Sequence, residues 1–355
     1  MSRPTLDKWI GEKLGAPFSR AELESYQLEM LNATIAHARE NSKYYSQRLP
    51  LGSLSSIRDL EKLPFTRPEE LYADPYAFLC VSPREVERIT TVATSGSSGS
   101  SKRIFFTAED IELCADFFHY GMRLIVDETD RLGILFPASA PGSVGELLAR
   151  GLERGGTAAI QLFNKIGELD PLAAEITAEN ITSLAGFPAI IQSLAESYPH
   201  LPIKTVLLSA DFVSPACRDV IKNAWNAEVF EHYGMTEMGL GCAVSCEQQL
   251  GYHIREADIL IEIIDPDTGR VLPDGEWGEV VFTTLTRRAM PFIRYRTGDF
   301  SRFLTEPCPC GTKLRTLAHV GDRGVRKKIP IIIDNGKPAP AGSAALGAPP
   351  IPPPQ

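Results

Sequence analysis

Between residues 131 and 233 the chain alternates short strand-forming runs with longer amphipathic ones, and no other feature constrains its fold as tightly. The runs at 131–137, 157–162, 181–185, 205–209 and 228–233 read as strands. The segments at 145–154, 171–179, 189–197 and 215–225 read as helices. A strand–helix–strand rhythm predicts a parallel sheet with helices on both faces. Ligands of such sheets sit at the C-terminal strand ends. Ser209-Ala-Asp211 and Tyr233-Gly-Met-Thr-Glu237 both stand at such ends.

The flanks differ in texture. Residues 20–49 carry Leu23, Tyr26, Met30, Ile35 and Ala38 at helical spacing, with Ser19 and Glu22 placed as a capping box. Residues 50–90 contain Pro50, Pro64, Pro68, Pro75 and Pro83 and predict short helices joined by turns. A Ser/Gly-rich loop spans 91–103, a short strand follows at Ile104, and Thr107 caps a helix over 111–125. From 252 onward the pattern turns antiparallel: 258–264 alternates, hairpin turns stand at 265–270 and 273–275, and 278–284 follows. This stretch predicts a small distorted barrel.

Composition excludes several classes of function. Lys and Arg number 36 against 45 Asp and Glu, a net charge of −9 without a basic run. Nucleic-acid affinity comes from phosphate neutralisation, so a nucleic-acid partner is not expected. No run approaches the roughly 18 apolar residues of a membrane span, and the N-terminus lacks a signal peptide's apolar core. A cytoplasmic location is therefore expected. Seven cysteines without an export signal point to burial or metal ligation rather than a disulfide scaffold. Seven of the 18 residues from Pro338 to Gln355 are proline, and a Pro/Ala/Gly tract of this kind builds no core.

Three constellations carry chemistry. In Thr94-Ser-Gly-Ser-Ser-Gly-Ser-Ser-Lys102 the glycines let backbone amides approach an anion, while the hydroxyls and the lysine add donors and charge. It lacks the Walker spacing. In Tyr233-Gly-Met-Thr-Glu237 the glycine admits a flat ligand and the glutamate suits magnesium. In Tyr295-Arg-Thr-Gly-Asp299 a carboxylate after a glycine turn suits ribose hydroxyls. Each element alone is weak.

In this order the three resemble the signatures of the adenylate-forming, acyl-activating superfamily: a Ser/Thr/Gly phosphate loop ending in T-G-x-P-K, a Y-G-x-T-E element and a Y-R/K-T-G-D element. Ser101 replaces the usual proline of that loop, and Ser98 the usual threonine. The segments Ser245-Cys-Glu, Gly251-Tyr-His-Ile, Glu279-Val-Val-Phe-Thr-Thr-Leu-Thr, Ala289-Met-Pro-Phe-Ile-Arg and Cys308-Pro-Cys-Gly resemble the phenylacetate–CoA ligase branch. The likeness runs from about 20 to 325 and is strongest over 231–311. It implies an α/β fold with parallel sheets flanked by helices in two subdomains, plus a small antiparallel β subdomain. The implied division is 1–90 helical, 91–245 α/β and binding both nucleotide and acid, 246–325 antiparallel, and 326–355 hinge remnant and tail.

The implied activity joins a carboxylic acid, commonly an aromatic one in this branch, to the α-phosphate of ATP and then passes the acyl group to CoA. A carrier protein, or an amine or hydroxyl, is the alternative acceptor, and a nucleotide-binding module without catalysis is the non-enzyme alternative. The resemblance places Ser95, Gly96, Ser97, Ser98, Gly99 and Lys102 at the β- and γ-phosphates, Thr236 at the α-phosphate and Glu237 at magnesium. Asp299 would hold the ribose, with Arg302 as a second contact. Ser209, Ala210 and Asp211 would lie beside adenine, and Glu231, His232 and Tyr233 would form its other wall. Phe136, Ala138, Gly186, Phe187, Pro188, Ala210, Gly234, Met235 and Gly239 are candidate linings of the acid pocket.

Cys246, His253, Cys308 and Cys310 make a three-thiolate, one-imidazole set that suits structural zinc, with Cys242 as a substitute ligand. Cys80, Cys114 and Cys217 read as burial. Family members carry a hinge of the form G-R-x-D-D and a further C-terminal domain whose lysine contacts the reacting groups. Arg323 stands for the hinge arginine, but the acidic pair after it is missing, and no lysine beyond it has the right context. The expectation is therefore of a chain that binds ATP and acid but forms adenylate slowly or not at all by itself. A homodimer is also within expectation.

Overall fold

The computed structural model describes residues 6–15, 17–93 and 101–321. Ser95, Gly96, Ser97, Ser98 and Gly99, as well as Arg323 and the segment 326–355, lie outside the described residues. In chain order the elements are helices α1 (Leu6–Leu14), α2 (Arg20–Asn41) and α3 (Pro68–Ala73), strands β1 (Arg88–Ala93) and β2 (Ser101–Phe106), helix α4 (Ala108–Met122), β3 (Arg131–Ile134), α5 (Val144–Arg154), β4 (Ala158–Gln161), α6 (Leu169–Ala178), β5 (Ser183–Gly186), α7 (Pro188–Ser197), β6 (Thr205–Leu208), α8 (Pro215–Trp225) and β7 (Glu228–Tyr233). Strands β8 (Ala243–Ser245), β9 (Tyr252–Ile254), β10 (Ile259–Ile264), β11 (Gly278–Thr284), β12 (Tyr295–Ser301) and β13 (Thr316–Leu317) complete the described part.

Local chemistry sets the helix starts. Ser19 accepts from the Glu22 amide, and Glu22 accepts from the Ser19 amide at 2.6 Å, so α2 opens on the expected capping box. Thr107 and Asp110 repeat the device at α4. Buried Asp110 also accepts from the amides of Arg288 and Ala289 at 2.8 and 2.9 Å, which fastens the start of α4 to the loop after β11. Helix α8 is capped by Ser214 and ends on Asn226 in the left-handed region at φ 53°.

The expected rhythm builds one large sheet in the order β13-β9-β8-β7-β6-β5-β3-β4. Strands β3 to β7 are parallel, and β8, β9 and β13 extend the same sheet antiparallel. Strands β5 and β6 are buried along their whole length, as parallel strands covered on both faces must be. The α/β class therefore stands, and among the described residues the parallel strands lie in this sheet, where β7 passes directly into antiparallel neighbours. Among the described residues the antiparallel region is an open three-stranded sheet, β10-β11-β12, and not the expected barrel. Its outer side is covered by the N-terminal helices instead: Lys13 pairs with Asp258 and Arg20 with Glu256, each at 2.6 Å, and the Gln27 amide donates to the Glu256 carbonyl at 2.8 Å.

One apolar cluster packs α6, α7 and α8 on the sheet through Leu172, Ile176, Ile191, Leu194, Ile221 and Trp225. A larger one joins α1, α2, α4 and α5 to the antiparallel strands. Each fully buried Leu, Ile or Phe stabilises the fold by roughly 1.5–3 kcal/mol. Strands β1 and β2 pair as an antiparallel ribbon whose last register is Ala93 to Ser101, so Lys102 follows directly on the Ser/Gly loop.

Candidate functional site

The second and third motifs meet through a reciprocal exchange. The Tyr233 hydroxyl donates to Asp299 Oδ2 at 3.1 Å, and the Tyr295 hydroxyl donates to Glu237 Oε1 at 2.9 Å. The tyrosine that opens each motif thus holds the carboxylate that closes the other. Burial, and after it the neighbouring carboxylate, pushes both phenols well above their ordinary range, so they remain protonated donors. The first motif joins them, since Lys102 forms an ion pair with the same Oε1 of Glu237.

Glu237 is fully buried, and its Oε2 has no hydrogen-bond partner among the described residues. An uncompensated carboxylate oxygen in that position is costly. It fits a hard cation that takes oxygen ligands, such as magnesium. Thr236 precedes it in the turn Thr236–Met238, which closes on Gly239 at φ +78°; a Cβ at 239 would lie 2.4 Å from Arg287 Nη2.

Asp299 and Tyr233 line a cavity of about 340 Å³ at the C-terminal ends of β6 and β7. Ala210, Asp211, Glu231, His232 and Gly234 line it too, as do Tyr252, His319, Val320 and Gly321. Ala210 holds φ +71°, an uncommon conformation for a residue with a side chain and one that clusters at ligand sites. Glu231 is buried and tied down: Tyr252 donates to it, His319 Nδ1 stands 2.9 Å away and Arg218 pairs with it. Gly234 is required, because a Cβ there would come within 2.8 Å of the Gly241 Cα.

A second cavity lies behind His232, between α4, α5 and the ends of β6 and β7. Phe117, Phe118, Gly121 and Met122 supply the α4 wall, joined by Phe136, Val144, Leu148, Leu207 and Val244. Ser209 and His232 are its polar members, with Ser209 Oγ 2.7 Å from His232 Nδ1. Burial, and then the Arg255 cation, pushes His232 down to about 4, so its ring is neutral near pH 7.

Of the residues expected in the acid pocket, Phe136 lines this cavity. Ala210 and Gly234 belong to the polar cavity instead. Phe187 stands edge-on to Phe136 at 5.2 Å, Pro188 starts α7, and a Cβ on Gly186 would strike Leu135, so these three pack behind the wall. Ala138 lies against Gly145 at the start of α5, Met235 packs on the core, and Gly239 serves the turn. Arg302 donates to the Gly275 carbonyl at 3.2 Å and lies over the Trp277 ring, away from the polar cavity. The α4 wall was readable as positions 117, 118, 121 and 122 of one helix face. Arg218 and His319 carry no such signal.

Strand pairing assembles the remaining set. Thr316 of β13 pairs with His253 of β9, and the ligand atoms of Cys246, His253, Cys308 and Cys310 all lie within 4.8 Å of one another. Cys246 Sγ is 3.7 Å from Cys308 Sγ, and Cys310 Sγ is 3.4 Å from His253 Nε2. A tetrahedron with Zn–S of about 2.3 Å and Zn–N of about 2.0 Å has edges of about 3.8 and 3.5 Å, so the donor set fits zinc. Thr316 Oγ1 stands 3.5 Å from His253 Nδ1 and orients the ring. Burial pushes His253 down, favouring the neutral ligating form. Cys242, Cys80, Cys114 and Cys217 are buried and outside the group, and all seven thiols are free of disulfides. Among the described residues no helix is long and apolar enough to cross a membrane.

Residues 54–285 match the family of AMP-binding enzymes. The chain is 31% identical over 333 residues to the phenylacetate-coenzyme A ligase of Aromatoleum evansii, covering 86% of this chain and 71% of that one. It is 30% identical over 310 residues to the Pseudomonas putida enzyme of the same name, covering 79% and 67%. Its fold matches a crystal structure of a 2-hydroxyisobutyryl-CoA ligase at a TM-score of 0.76, with 21% identity over 85% of this chain and 70% of that one. That last likeness is one of fold alone, whereas the motif geometry and the sequence identities agree: the chain belongs to the AMP-binding enzyme family, in its phenylacetate–coenzyme A ligase branch, and is by family an AMP-forming acyl-CoA ligase.

Proposed function

We propose that this chain activates an aromatic carboxylic acid with ATP and hands the acyl group to coenzyme A. The observation that carries this is the single wall, His232, shared by a polar cavity holding Asp299 and an apolar cavity ringed by phenylalanines. A nucleotide in the first and an acid in the second would meet at that wall. The names of the relatives, phenylacetate-coenzyme A ligases, support an aromatic acid.

In this reading an oxygen of the acid's carboxylate attacks the α-phosphorus of ATP, and pyrophosphate leaves with the broken α–β bond's electron pair. Such a displacement needs alignment and charge neutralisation more than covalent help. Lys102 supplies a fixed cation close to Glu237. Asp299, oriented by Tyr233, accepts from ribose hydroxyls. Glu237 Oε2 would hold a magnesium ion, which when bound neutralises phosphate charge. His232, neutral and buried against Phe117 and Phe118, presents no charge to the acid's apolar side chain. The cysteine–histidine set is read as structural zinc that fastens the β8–β9 turn to the segment before β13.

Exchange of pyrophosphate into ATP, measured over aromatic and aliphatic acids, tests the reading. Exchange that depends on an aromatic acid, however slow, is the expected result. Tight ATP binding with no exchange under any acid would favour a nucleotide-binding module instead.

A further inference from the structure

Polar side chains line the apolar cavity at one place, the Ser209–His232 pair; the rest of its wall is aromatic, aliphatic or glycine. Ser209 Oγ and His232 Nδ1 are 2.7 Å apart and share one hydrogen bond. A neutral Ser–His pair brings two mobile hydrogens, one on the hydroxyl and one on the ring, and that bond consumes one of them. If the hydroxyl donates, the ring proton stays on Nε2 as a free donor. If the ring donates, Nε2 is a bare acceptor and the hydroxyl keeps its hydrogen.

In either tautomer His232 Nε2 is buried and has no partner among the described residues. Buried polar atoms are normally satisfied, so an orphan on a residue that lines a cavity calls for a partner from beyond the described residues, which a ligand in that cavity can supply. The sequence keeps that nitrogen uncovered. A Cβ at Gly241 would lie 2.8 Å from His232 Nε2 and 2.4 Å from the Phe117 ring, so glycine at 241 preserves the space beside both.

We infer that this pair sets the substrate class: the acid carries an uncharged hydrogen-bonding substituent, a hydroxyl or an aromatic amine, that bonds His232 Nε2. The inference rests on the acid-activating reading and narrows it. A hydroxyl or an amine can serve either tautomer, because each donates and accepts. A cationic substituent would face the Arg255 cation that already acts on the His232 ring, and no lining side chain carries a charge to pair with an anionic one. Unsubstituted acids are disfavoured because they leave the nitrogen desolvated and unpaired, the arrangement by which a site rejects an analogue lacking one polar group. The cavity measures about 30 Å³ as it stands, less than a phenyl ring needs. A ring therefore enters by displacing side chains, and unbranched Met122 yields most readily.

Calorimetric titration of the full chain tests this, with magnesium and a non-hydrolysable ATP analogue present. The probes are benzoic and phenylacetic acids and their ring-hydroxylated and ring-amino forms. At least one substituted acid should bind at least about tenfold tighter than its parent. In His232→Phe that gap should shrink to within about twofold, and Ser209→Ala should narrow it. Parents binding as tightly as every substituted form, or a gap that survives in a folded His232→Phe, would overturn the inference and leave acid activation standing. No binding of any acid while the nucleotide analogue binds would remove both. The comparison of acids on the unaltered chain decides by itself should the variant not fold.

Discussion

Tyr295 donates to Glu237 Oε1 at 2.9 Å from a strand 58 residues further along the chain, and the opposite carboxylate oxygen has no partner among the described residues. Lys102 pairs with the same Oε1, so in the proposed reading Oε2 is the oxygen left for a magnesium ion beside the nucleotide. Glu237→Gln should therefore make ATP binding insensitive to magnesium, with a loss of about tenfold or more at saturating metal. Titration of ATP with and without magnesium checks it, and an unchanged magnesium dependence would contradict the assignment.

Lys102→Met should destabilise the ligand-free chain by about 3–5 kcal/mol, because it strands a fully buried carboxylate. Magnesium should restore part of that loss by taking over the charge, whereas it should add little stability to Glu237→Gln. Denaturant titrations with and without the metal give both numbers.

Stability should fall as the pH drops through the range set by His232. Its ring is held down to about 4 in the folded chain, below the value of about 6.5 for an unfolded histidine. Between those values the unfolded state binds the extra proton, so unfolding is favoured as pH falls through the window. The contribution is about 3 kcal/mol, fully present above pH 6.5 and spent by pH 4. Comparing the pH profiles of the parent and His232→Phe isolates it, and parallel profiles would refute the buried neutral ring.

Purified protein should hold about one zinc ion per chain, and metal affinity should weaken as pH falls. Burial pushes Cys310 up to about 11 and raises Cys246 as well, so both must shed a proton to ligate. Cys308→Ser should release zinc and lower the melting temperature without removing the parallel sheet's far-ultraviolet signal. Metal-free protein in which the three thiols react freely with a thiol reagent would sink the zinc assignment.

Gly241→Ala should cost about 1–3 kcal/mol and block acid binding more than nucleotide binding, because its Cβ would come 2.4 Å from the Phe117 ring. Gly234→Ala, which meets the Gly241 backbone at 2.8 Å, should impair both ligands. Parallel titrations of acid and nucleotide separate the two effects.

How much of this was legible in the sequence varies by element. The five parallel strands, four crossover helices and two capping boxes follow from periodicity and short-range hydrogen bonding, and they lie where the residues place them. The single continuous sheet was not legible, because β8 and β9 are three residues each and carry no alternation. Glu237, Asp299 and Lys102 were nameable from their motifs, but the crossed bonds from Tyr295 and Tyr233 join residues more than 50 positions apart, which no local pattern reveals. The apolar cavity read as the acid pocket was named in part, through Phe136 and its place between the helix after the phosphate loop and the sheet ends. Small residues near the strand ends suggested room for a ring, yet several of those positions are small because a neighbouring side chain presses on them, as Leu135 does at Gly186. The individual side chains that the α4 face contributes to that cavity, Phe117, Phe118 and Met122, were not named.

The most direct test uses a non-hydrolysable acyl-adenylate mimic in which a sulfamate replaces the phosphate, since it occupies both cavities at once and needs no turnover. Titrated against the full chain, the mimic of a preferred acid should bind one to one and about a hundredfold or more tighter than AMP. Binding no tighter than AMP, or unaffected by Glu231, Asp299 and His232 replacements, would mean that the two cavities do not form one acyl-adenylate site.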